Sequence, residues 1–173
     1  MFWERAAVRP EGSFIMDMPK PGESHRKLEK LAGKWTGEEK LKAAGPWKPS
    51  GEKAKGTFDF HEAADGFFLL ADYDEEVEGG KPGIRGHGVL GWDPKAKAYT
   101  LHWFDNAGTP PAKPGIGQWK GNALTFEHDM GEHKGRTIFE LAGKDAMNFR
   151  VEMSNDGKKW DRAVDGKYRR RGH

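Results

Sequence analysis

The chain contains no cysteine. Disulfides, thiolate metal sites and cysteine nucleophiles are excluded together. Long hydrophobic runs are missing as well: no window approaches the roughly 20 apolar residues that a membrane-crossing helix needs. Met1–Met18 also lacks the basic segment and apolar stretch of a signal peptide. Nor is there an excess of one charge. Twenty-nine Lys and Arg stand against 27 Asp and Glu, for a formal net charge of +2, which gives no strong pull towards nucleic acid or an acidic membrane. Serine is confined to Ser13, Ser24, Ser50 and Ser154, none in a GxSxG context, so a nucleophile-elbow hydrolase is not expected. No HxH or HExxH spacing occurs, and His128 and His133 straddle a turn, so no metal site is expected. Phosphate-cradling glycine loops are absent too, because Gly86, Gly88 and Gly91 alternate within a strand-like stretch. These absences predict a cytoplasmic protein with no nucleic-acid, membrane or metal partner.

What is present favours a sheet. At 173 residues the chain suits one domain with a real core. Hydrophobic residues make up 35% and charged residues 32%, too little aliphatic material for a helical bundle. A sheet with one apolar face tolerates this composition. Seven Trp and ten Phe supply large buried areas from few positions, and 24 Gly with 10 Pro supply turns.

Residues 1–23, broken by Pro10, Pro19 and Pro21, read as a flexible arm preceding a single domain over 24–171. Ser24 is placed to cap a short helix through Arg26, Leu28 and Leu31, ended by Gly33. Beyond it the pattern has period two. Residues 34–42, 52–62, 66–78, 84–92, 98–105, 115–119, 122–130, 134–142, 146–154 and 159–170 read as strands. In 146–154, for example, Met147, Phe149, Val151 and Met153 alternate with Asn148, Arg150, Glu152 and Ser154. Gly79-Gly80, Asp93-Pro94, Gly121-Asn122, Gly143-Lys144 and Asp156-Gly157 provide hairpin turns between them. About ten consecutive hairpin-linked strands predict an all-β, up-and-down antiparallel barrel, closed so that no edge remains, with one short N-terminal helix. Asn106–Pro114, with three prolines, predicts an irregular loop at the mouth.

The segments LAGKWTGEE (31–39), DGFFLLADY (65–73), RGHGVLGWDP (85–94), HWFDNAG (102–108) and FRVEMSNDGKKWDRAVDGKYRR (149–170) resemble the bacterial family known as domain of unknown function 1579. That resemblance implies a lipocalin-like, calycin-type barrel whose first strand bears Gly33-Lys34-Trp35, with Trp35 packed at the closed end. It assigns no activity. Nitrobindin, a distant barrel relative, binds haem through a histidine on its last strands. Here 159–170 has none and His173 lies beyond it, so no cofactor is expected and haem is disfavoured.

Among the histidines His87 stands out, between Gly86 and Gly88, where missing side chains leave room above the sheet. If it faces the lumen with Arg85 and Val89, a simple hairpin sets Tyr73 and Glu75 beside it. A five-residue turn over Asp93–Lys97 then brings Leu101, Trp103 and Asp105 to the same face, and a four-residue turn brings His102 and Phe104 instead. The first register is preferred, because it buries Trp103 and Leu101. Leu90, Trp92 and Phe104 then point outward. The expected ligand-contacting set is His87, Arg85, Tyr73, Trp103, Asp105, Met153 and Trp160, around a small apolar molecule. Two rivals are an isomerase or hydrolase using His87 with Asp105 or Glu75, and a filled barrel serving as a structural or homodimerisation module.

Overall fold

The computed structural model describes residues 6–8 and 14–172. Within the segment read as an arm, β1 (Ala6–Val8) pairs with β2 (Phe14–Met16) as a separate two-stranded ladder. The rest of that arm's first 13 residues, and His173, lie outside the described residues. Helix α1 (Glu23–Arg26) runs into a 3-10 turn over Lys27–Leu31. Gly22, not Ser24, caps it: the Gly22 N–H donates to His25 Nδ1 at 3.0 Å.

Ten antiparallel strands follow: β3 (Gly33–Leu41), β4 (Lys53–Ala63), β5 (Phe68–Val77), β6 (Arg85–Asp93), β7 (Ala98–Asp105), β8 (Gly115–Lys120), β9 (Ala123–Asp129), β10 (Lys134–Leu141), β11 (Ala146–Ser154) and β12 (Asp161–Arg170). Each pairs with its chain neighbours. The barrel closes where β12 meets β3, from Val164 opposite Leu41 to Arg170 opposite Trp35. Every strand ends within two residues of its expected bounds, because alternation and turn chemistry specify the same cuts.

Alternation decides what goes inside. On β3 the inward positions are Trp35, Gly37, Glu39 and Leu41. On β4 they are Ala54, Gly56, Phe58 and Phe60, and on β5 Leu69, Ala71, Tyr73, Glu75 and Val77. At one end, the helical segment plugs the barrel with Leu28 and Leu31. The Trp35 indole donates to the Leu31 carbonyl at 2.8 Å and Tyr99 to that of Ser24 at 2.9 Å. The Arg170 guanidinium covers the Trp35 ring at 4.1 Å while donating to the carbonyls of Lys30, Ala32 and Lys144. Trp35, Phe58, Phe60, Phe126 and Phe139 are at most 1% exposed, so solvent does not reach these rings. Phe58 alone meets Phe60, Tyr73, Phe139, Phe149 and Tyr168 at centroid separations of 4.6–5.7 Å, stacked on Phe60 and edge-on or tilted to the other four, geometries that aromatic quadrupoles favour.

Three inward glycines exist for one tyrosine. A Cβ on Gly37 or Gly166 would stand 2.6 or 2.8 Å from the Tyr168 ring, and one on Gly56 would stand 1.8 Å from its hydroxyl. At the opposite end the wall is thinnest between β7 and β8, which share only Tyr99–Leu101 against Gly117–Gly115. His102–Asp105 run on past that ladder, and the expected irregular loop 106–114 follows.

Candidate functional site

The preferred register around His87 is corrected by one residue. Asp93 pairs with Ala98, leaving a four-residue turn, and His87 stands opposite Phe104 and Asp72. The turn itself explains this. The Asp93 carboxylate accepts the N–H groups of Lys95 at 2.9 Å and Ala96 at 3.2 Å, and Lys97 takes a left-handed φ of 50°. Packing agrees, because the room left by Gly86 and Gly88 is on the inner side, where Trp103 fills it. A Cβ on Gly86 would lie 2.0 Å from the Trp103 ring. Burying that indole and Leu90 outweighs burying an imidazole beside an arginine.

The expected set therefore divides. Tyr73, Glu75, Trp103 and Asp105 share the inward parity, and Met153 packs against the core. His87 and Arg85 lie on the outer face, where His87 Nδ1 meets Asp72 at 2.7 Å and Arg85 meets Asp74 at 3.9 Å. Trp160 is outside as well, beneath the Arg136 guanidinium at 3.7 Å. The barrel wall stands between His87 and both Glu75 and Asp105, so that acid–base pairing is not assembled. Leu90 is fully buried rather than outward, and Trp92 packs on Tyr99 with centroids 4.9 Å apart. Phe104 is outward and 44% exposed. Around Asp72, a shallow outer groove of about 360 Å³ is edged by Lys34, Thr57, Asp59, Asp74 and Arg171, with Lys34 and Asp59 3.7 Å apart.

The chemistry inside belongs to residues with weaker sequence signals. Glu39 sits on the Trp35–Leu41 face and is 2% exposed. It accepts from the Tyr168 hydroxyl and lies 2.8 Å from that of Tyr73, which reaches Glu75 at 3.3 Å. The Ile84 N–H donates to the other Glu75 oxygen at 3.0 Å. Burial pushes the Glu39 carboxyl up to about 7, against the lowering effect of the two tyrosine hydroxyls, and the neighbouring Glu75 charge adds to the rise. Glu75 is raised too, chiefly by burial. A proton on Glu39 completes the network: Glu39 donates to Tyr73, Tyr73 to Glu75, and Tyr168 to the remaining Glu39 oxygen. Burial and these carboxylates hold both tyrosines well above the ordinary phenol range.

Above this floor, half-buried side chains surround the mouth. His128 follows Leu124 and Phe126 on the inward face of β9, and its Nε2 lies 3.0 Å from Thr137 Oγ1. Burial lowers its pKa, favouring the neutral ring. Gly115 makes room for it; a Cβ there would stand 2.4 Å from the ring. Trp103 donates to Asp105 at 3.1 Å. The buried Trp47 indole N–H finds no partner among the described residues. Trp47, Trp103, His128, Thr137, Val151 and Met153 are all half-buried, in contrast to the sealed end. Sequence parity marks His128 and Glu39 as inward, through Leu124-Phe126-His128 and Trp35-Glu39-Leu41. Thr137 and Trp47 carry no comparable mark.

Among the described residues, no group of three or more His, Cys, Asp or Glu is arranged to hold a metal. None of their helices is long and apolar enough to cross a membrane.

Two solved structures share the barrel. Rv2717c from M. tuberculosis superposes with a TM-score of 0.63 at 16% identity, over 87% of this chain and 99% of that one. The S-type phycobiliprotein lyase CPES from Guillardia theta gives 0.60 at 10% identity, over 88% and 94%. At such identities the likeness concerns fold alone. No curated protein matches the chain. Its sequence matches the family described as protein of unknown function (DUF1579) over residues 20–170, and the chain belongs to that family.

Proposed function

We propose that the protein binds a small, largely apolar molecule in the cup at the barrel mouth. One observation carries this reading: inward-facing side chains are sealed at the helix-plugged end and half-exposed at the other. That half-exposed inner surface is made of Trp47, Trp103, Val151 and Met153, with His128 as a polar point among them. That mixture of apolar wall and few polar groups is what small-molecule sites use. Trp103 and Met153 line the cup in this reading, Asp105 orients the Trp103 indole, and Tyr73 belongs to the floor.

The test uses the fluorescent probe anilinonaphthalene sulfonate. Wild type should bind it with energy transfer from tryptophan. Gly135→Leu should fill the cup, because the nearest atoms to a Cβ there are the Met130 and Met153 sulfurs and the His128 Cβ, at 3.3–3.7 Å. Binding should weaken at least about tenfold in a variant whose circular dichroism is unchanged. Equal binding by the folded variant, or no binding by wild type, refutes the proposal.

A further inference from the structure

A second concavity lies outside the barrel wall, at the same end. The β3–β4 loop and the β5–β6 turn border an open hollow of about 730 Å³ lined by Lys40, Lys42, Lys48, Lys53 and Lys81, with Glu52 as its one carboxylate. None of the five ammonium groups forms an ion pair among the described residues. Lys40 and Lys53 stand directly opposite each other on adjacent strands, an arrangement that sheets ordinarily avoid. On the other side of Lys40 stands Asp165, which is engaged by Arg162 at 2.9 Å.

The frame is tied in several places. Ser50 donates to the Pro82 carbonyl at 2.6 Å, joining loop to turn. The Leu41 N–H donates to the Glu52 backbone carbonyl at 2.8 Å and the Glu78 N–H to that of Lys53 at 2.9 Å. A further bridge links Val77 and Lys81, and Gly51 leaves space beside the Val77 and Lys81 side chains. Five like charges are thus gathered around one hollow in a chain whose total charge is only +2. Such a gathering raises the local concentration of anions. The hollow is confined to one loop, one turn and the strand ends beside them, unlike the extended basic face that a duplex or a bilayer would need.

We propose that this concavity binds a small molecule bearing several phosphoryl or carboxylate charges. Lys53 and Lys81 hold it from two elements, and Lys40, Lys42 and Lys48 add charge around it. Ammonium groups act here as mobile point donors, so the site selects for charge more than for shape.

Titration calorimetry at low ionic strength with inorganic tripolyphosphate, and separately with citrate, tests this. Wild type should bind at least one of them at one site, and binding should weaken steeply with added salt. The double variant Lys53→Gln, Lys81→Gln should lose about tenfold or more in affinity. Lys95→Gln with Lys97→Gln, in the turn at the plugged end, should bind like wild type. No binding of either anion, or equal loss in both double variants, overturns the proposal. So does binding confined to phosphatidylglycerol vesicles or to duplex DNA, which would assign the lysines to a membrane or a nucleic acid.

Discussion

Glu39→Gln puts a neutral amide where the structure holds a carboxyl that ordinarily titrates at 4.5 and here is pushed up to about 7. The amide oxygen can accept from Tyr168 and its nitrogen can donate to Tyr73, so the variant imitates protonated Glu39 at every pH. A carboxyl with a raised folded-state pKa binds its proton more tightly when folded. Its favourable contribution is therefore complete below about pH 4.5 and drains away as pH rises through 7. At about 1.4 kcal/mol per pH unit, the full loss is about 3 kcal/mol. Glu75 shares the network and is shifted in the same direction, so the slope belongs to the pair. Urea unfolding of both proteins at about pH 5 and about pH 8 isolates this contribution, because surface carboxylates and histidines cancel in the difference. The two proteins should match within about 1 kcal/mol at the lower pH, with the variant more stable by about 3 kcal/mol at the higher. Parallel pH profiles, or a variant weakened most at about pH 8, would refute the assignment of a protonated carboxyl in the floor.

Three further outcomes follow from the same geometry. Tyr168→Phe removes the hydroxyl donated to Glu39 and should cost about 1–3 kcal/mol, with the pH transition of stability moved upward; chemical denaturation across pH measures both. Gly86→Ala should destabilise by about 1–3 kcal/mol, because its Cβ would sit 2.0 Å from the Trp103 ring. Gly88→Ala should cost less, its nearest contact being 3.1 Å, and thermal melts rank the two. His87→Ala should change stability by no more than about 0.5 kcal/mol, since the pair with Asp72 is solvent-exposed, and should leave probe binding in the cup unaltered.

The strand plan was legible because periodicity and turns report on the same cuts, and strand ends follow from them with little help from tertiary contacts. Facing was harder. Near His87 the outcome hung on whether the turn after Trp92 spans four residues or five, and the answer lies in the Asp93 side chain capping two N–H groups. Glycine spacing correctly marked missing volume but not which side of the sheet used it, and Trp103, one strand away, claims the space. The buried acid Glu39 was visible in principle, three positions on the same face running Trp35, Glu39, Leu41. Its tyrosine partners come from strands separated by up to 129 residues along the chain, a proximity that no local pattern encodes.

The junction of β12 with β3 also bears on how the chain is made. Of the barrel strands, synthesis delivers β3 first and β12 last, so a nascent polypeptide can curl nine strands while both flanks of the sheet stay raw. Those flanks offer unpaired amides and carbonyls to any neighbouring chain until Asp161–Arg170 has emerged. A cell that translates this message slowly, or truncates it ahead of Asp161, would accumulate a sticky, unclosed nine-stranded sheet rather than a dimmed version of the native fold.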